Sequence, residues 1–179
     1  MAFHRWSSLA LLVVLSTSCA PVVKVSSAEG ATASTRLLRL NSLVFERPAA
    51  FALRDFGNGV GLSFCGERDV PSCGSLSVLL VNELRPEQCR DRDAVAAWLR
   101  LPAGGVDQLA PVSVAGREGW LRDGKDVPMP TVVLCVPEGA WKATAVATGP
   151  KGEAPARGAF RLFLETARFA PAEQGPAAR

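Results

Sequence analysis

The 179-residue chain contains no tyrosine, a single histidine and two methionines, and aromatic residues make up only 7% of it. The lone histidine is His4, within a stretch that reads as a removable leader. Without another imidazole, a Ser-His or Cys-His triad and a histidine-ligated metal are both excluded from the rest of the chain. Lysine is scarce as well, at positions 24, 125, 142 and 151, and no serine stands three residues before any of them. The Ser-x-x-Lys dyad is therefore absent. Gly149-Pro150-Lys151-Gly152 lacks the spacing and the trailing Ser or Thr of a phosphate loop. No run of like charge exceeds two residues and the net charge is only +3, so a nucleic-acid surface is not indicated. Nor does any apolar run approach the roughly 20 residues of a membrane-spanning helix.

What is present is concentrated first at the N-terminus. His4 and Arg5 precede an apolar stretch, Leu9 to Leu15, which is followed by Ser16-Thr17-Ser18 and Cys19. A charged start, a short apolar middle and a small-residue region make a secretory signal. With its cysteine at the cut, this leader resembles that of bacterial lipoproteins. Ser18 and the uncharged stretch before it match the family's pattern, while Ser16 stands where Leu is usual and Leu15 lies one residue further out. The resemblance implies cleavage after residue 18, a diacylglycerol thioether on Cys19 and anchoring in a membrane. Ala20, in place of the Asp that tends to retain such proteins at the inner membrane, implies the outer membrane, facing the periplasm or the cell surface.

Lipidation of Cys19 leaves Cys65, Cys73, Cys89 and Cys135, an even set in an exported chain and hence two expected disulfides. Four cysteines allow three pairings. The favoured one joins Cys65 to Cys73 across the turn-rich segment 66–72, leaving Cys89 for Cys135. The intervals of seven, fifteen and forty-five residues lack the close pairs of a zinc site, so no metal and no cofactor is expected.

Composition shifts divide the chain into a leader (1–18), a lipidated tether rich in Ala, Ser, Val and Gly (19–35), one globular domain (36–170) and a Pro/Ala/Gly-rich tail (171–179). Within the domain, strands are expected at 36–40, 42–45, 60–64, 76–81, 111–116, 119–121, 131–136 and 141–147, with 51–54 ambiguous and a turn near 122–125. Asp91 or Asp93 can cap a helix ending before Pro102. A second helix is expected from Ala159 to about Arg168, with Phe160, Phe163, Leu164 and Ala167 on one face.

The fold class is therefore α+β, an antiparallel sheet with two helices. The order of helix around Trp98, strand Val114 to Trp120, hairpin 131–147 and closing segment Leu162 to Phe169 resembles small PsbP/Mog1-like domains, which implies a sandwich and a binding or assembly role. Catalysis has one candidate, the carboxylates Glu83, Glu87, Asp91 and Asp93, as in a polysaccharide hydrolase. Arg85, Arg90 and Arg92 interleave them, and a mutually neutralising loop is the simpler reading. Trp120 and Trp141 are the candidate partner-facing aromatics. The sequence thus points to a non-catalytic, lipid-anchored envelope protein whose partners are the membrane, through its lipid, and an envelope protein or glycan, but not nucleic acid. A carboxylate-dependent hydrolase and a freely secreted binding protein are the alternatives.

Overall fold

Alternating burial along the strands explains the architecture in the computed structural model, which describes residues 25–28, 34–65, 72–149 and 151–170. In chain order the elements are strands β1 (Val25–Ala28), β2 (Thr35–Leu40), β3 (Leu43–Pro48), β4 (Ala52–Asp55), β5 (Gly59–Cys65) and β6 (Cys73–Val81). Helices α1 (Pro86–Arg90) and α2 (Arg92–Trp98) and a 3-10 turn (Gly105–Gln108) follow. The chain continues through β7 (Ala110–Val114), β8 (Arg117–Arg122), β9 (Thr131–Val136), β10 (Gly139–Thr148), α3 (Glu153–Thr166) and β11 (Arg168–Phe169). They form a seven-stranded sheet, β4-β5-β6-β10-β9-β8-β7, and a four-stranded sheet, β1-β2-β3-β11. Every pairing is antiparallel.

The large sheet is apolar on both faces at its centre, because β6, β9 and β10 carry apolar residues at successive positions. One face presents Val60, Leu62, Leu76, Val78, Leu80, Val132, Leu134, Trp141, Ala143 and Ala145. The small sheet, through Leu38, Leu40, Leu43 and Phe45, and α3, through Ala156, Ala159, Phe160 and Phe163, complete this core. Phe45 and Phe163 meet edge to face at 5.0 Å. Gly74 lets α3 approach, since a Cβ there would lie 2.5 Å from the Gly152 carbonyl oxygen. Opposite this face, Val133 and Ala140 pack with Cys89 from α1, Val95 and Ala96 from α2, and Leu84 and Leu109, which flank α1 and the 3-10 turn. The result is α+β with three α-helices, helical elements lying on both faces of the large sheet.

Several expectations are corrected. Val25–Ala28, read as tether, pairs with β2, and Val25 packs on the core. The segment around Glu87, read as a solvated loop, contains α1, which starts at Pro86, a residue suited to the first helical position. α3 starts at Glu153 rather than Ala159; Pro155 is tolerated in the first turn, where N–H groups have no intrahelical acceptor. Arg168 belongs to β11, not to the helix. The strand expected over 111–116 ends at Val114, and Ala115-Gly116, both with positive φ (52° and 75°), turn the chain into β8, while the turn expected near 122–125 follows β8, where Val127 N donates to the Gly124 carbonyl. Residues 1–18, Cys19 and the tail 171–179 lie outside the described residues.

Candidate groove beside the Cys89–Cys135 disulfide

All four body cysteines are paired, Cys65 with Cys73 and Cys89 with Cys135. The first bridge links directly opposed residues of β5 and β6. The second joins α1 to β9 and has a wider consequence. A five-residue helix cannot sustain itself, and α1 is held down by this bond and by a hydrogen bond from Trp120 Nε1 to the Cys89 carbonyl at 2.9 Å.

Neighbouring elements fix α1 further. Asp91 caps α2, its carboxylate accepting from the backbone N–H of Asp93 at 2.9 Å and of Ala94 at 3.3 Å. Arg92 donates to the Val106 carbonyl and pairs with Asp107 at 3.0 Å, tying α2 to the 3-10 turn. Between α1 and the β7–β8 hairpin this leaves a groove of 380 Å³, lined by Cys89, Arg90, Val112, Gly119, Trp120 and Cys135 with Pro111, Ser113 and Glu118.

Strand register explains which side chains meet there. Pro111 opposes Trp120 and Ser113 opposes Glu118, so these four share the face that looks toward α1. The Trp120 N–H is already committed to Cys89, so the indole offers its apolar surface. Arg90 and Glu118 are exposed, opposite in charge, and neither makes an ion pair among the described residues. The groove can therefore hold an apolar group against Trp120 and the disulfide while charges engage it from the rim.

The sequence-selected residues distribute unevenly around this site. Trp120 stands in it, as do Cys89 and Cys135. Trp141 does not: it is 1% exposed and belongs to the core on the opposite face of the large sheet, which corrects its reading as partner-facing. Glu83, Glu87, Asp91 and Asp93 are all exposed and spread over the loop after β6, α1 and α2, with Asp91 spent on its cap. Among the described residues no three His, Cys, Asp or Glu side chains cluster as metal ligands. Arg90, Pro111, Ser113 and Glu118 escaped the sequence reading. With the turn placed at Ala115-Gly116, alternation alone would have put Pro111, Ser113, Glu118 and Trp120 on one face. The chain matches no protein-family model and no curated protein.

Proposed function

We propose that this protein is an exported, non-catalytic binding or assembly module of the bacterial envelope, anchored through lipid on Cys19 and engaging its partner in the groove beside Cys89–Cys135. The observation that carries the reading is that groove: an apolar wall of Trp120 and a disulfide, rimmed by Arg90 and Glu118, each without an ionic partner among the described residues. Both disulfides suit an oxidising compartment, which agrees with the leader. The antiparallel sheet with helical elements on each face is compatible with a PsbP/Mog1-like sandwich. No helix among the described residues is long and apolar enough to cross a membrane, so stable attachment would rest on the lipid.

Two measurements test this. Growth with a clickable palmitate analogue should label the wild-type chain and leave Cys19→Ala unlabelled. Unlabelled wild type would overturn the anchor and favour a freely secreted protein. For the groove, a photocrosslinking residue at Ser113 should trap an envelope partner in intact cells, and Trp120→Ala should reduce that adduct about tenfold, on the scale of a buried aromatic anchor. An adduct indifferent to Trp120→Ala would place the binding surface elsewhere.

A further inference from the structure

The two outer strands of the large sheet are treated differently by the sequence. In the β7–β8 hairpin the pair flanking the two-residue turn is Val114 with Arg117, and hydrogen-bonded pairs alternate outward from it. Pro111 therefore faces the open edge, where it has no N–H to offer, and β7 is blunted against strand addition. β4 carries no proline. Phe56 N donates to the Gly59 carbonyl at 2.9 Å, so Arg54 with Gly61 and Ala52 with Ser63 are the hydrogen-bonded pairs. Leu53 and Asp55 consequently direct both their backbone N–H and C=O groups outward. Every residue of β4 is exposed.

Side chains around this edge are unusually apolar. Four large hydrophobic side chains are exposed among the described residues, and three of them stand here: Leu53, Phe56 and Phe64, at 39%, 46% and 38%. Leu53 opposes Leu62 and so lies on the core side of the sheet, as does Phe64, which stacks on Phe51 at 5.8 Å. At the same edge, Arg47 reaches across to donate to the Phe51 carbonyl at 2.7 Å, and it has no carboxylate partner among the described residues. Burial, with Arg36 adding to it, pushes its guanidinium below the ordinary arginine range, as expected of a charge lacking an acid.

We propose that β4 is a dimer edge: a second copy of this chain lays its own β4 antiparallel against it, Leu53 opposite Leu53, joining two large sheets into one. This register follows from charge. Leu53 of each copy exchanges two backbone hydrogen bonds with the other, and the two leucines meet on the two-fold axis. Asp55 then falls opposite Phe51 of the other copy, on the face where Arg47 already sits, so carboxylate meets guanidinium twice by symmetry. One Asp55 oxygen accepts from Gly57 N at 2.7 Å and the other remains for Arg47. Moving the axis to Arg54 or to Asp55 sets like charges directly opposite, which disfavours both alternatives.

The groove lies at the far side of the sheet, beside β7 and β8, so this interface stands independently of the proposed partner site. The test uses the purified full chain. Leu53→Cys places two thiols on the axis, where opposed Cα atoms lie about 5.5 Å apart, within disulfide reach. With Cys19→Ser in the background of both cysteine variants, mild oxidation should convert Leu53→Cys to a covalent dimer of twice the monomer mass on a non-reducing gel. In the same register the two copies of Asp55→Cys stand about 14 Å apart along the strands and should stay uncrosslinked. Sedimentation should show wild-type dimer and at least about tenfold weaker association for Leu53→Lys, which opposes two ammonium groups across the axis. Trp120→Ala should leave the dimer unchanged. A monomeric wild type, equal crosslinking of both cysteine variants, or a Leu53→Cys adduct only with some other protein would each overturn the proposal.

Discussion

Replacing Cys89 and Cys135 together by alanine is expected to lower unfolding free energy by about 4 kcal/mol, whereas removing Cys65 and Cys73 should cost about 2.5 kcal/mol. The bridges differ in what they close. Cys89 and Cys135 are 46 residues apart, and Cys65 and Cys73 only 8, so opening the former releases far more chain entropy in the unfolded state. The local consequences diverge in the same direction. Cys65 and Cys73 remain opposed in the β5–β6 ladder without their bond, but α1 has five residues and loses its covalent hold on the sheet. Thermal unfolding followed by circular dichroism should show a drop of roughly 8–16 °C for the Cys89/Cys135 pair. Trp120 should report the local change, because its N–H bond to the Cys89 carbonyl depends on α1 staying seated. Its fluorescence is expected to shift before global unfolding in that variant alone. Equal losses from the two cysteine pairs would refute this account of α1.

Local signals were enough to find most of the strands and two helices. The Pro137-Glu138-Gly139 connection marks the β9–β10 hairpin, Asp91 caps α2 as its position suggests, and Phe160 and Phe163 pack inward from α3. What escaped depended on contacts made at a distance. The Pro86–Arg90 segment has no apolar stripe of its own and is seated by a disulfide to β9 and a tryptophan from β8. β1 is short and acquires its identity by pairing with β2. Ala115 takes a left-handed conformation that alanine does not advertise, and reading 115–116 as strand hid the shared face of Pro111, Ser113, Glu118 and Trp120. Half of the groove was thus implicit in a period of two, and Arg90 was not, because its place comes from the third dimension.

Trp141 and Trp120 looked alike in the sequence, each an aromatic in a strand beside a turn, and substitution should separate them sharply. Trp141 is among the largest fully buried side chains and packs within the core between the large sheet, the small sheet and α3. Trp141→Ala should cost about 3–5 kcal/mol, a large part of the 5–15 kcal/mol that holds an ordinary domain together. The cost of Trp141→Phe should be far smaller. The indole Nε1 has no hydrogen-bond partner within the described protein, and leaving such a donor buried costs about 1–3 kcal/mol. Phenylalanine removes that donor while keeping most of the apolar contact, so relief of one penalty offsets the volume lost. Trp120, partly buried at the groove, should lose its partner on truncation while costing the fold less than Trp141→Ala, through its hydrogen bond to Cys89, about 1 kcal/mol, and part of its packing under α1. Urea midpoints at constant m-value decide the matter. If Trp141→Phe proved as damaging as Trp141→Ala, the buried N–H would carry a contact of its own. If Trp120→Ala collapsed the fold, the groove would be a strut rather than a binding surface.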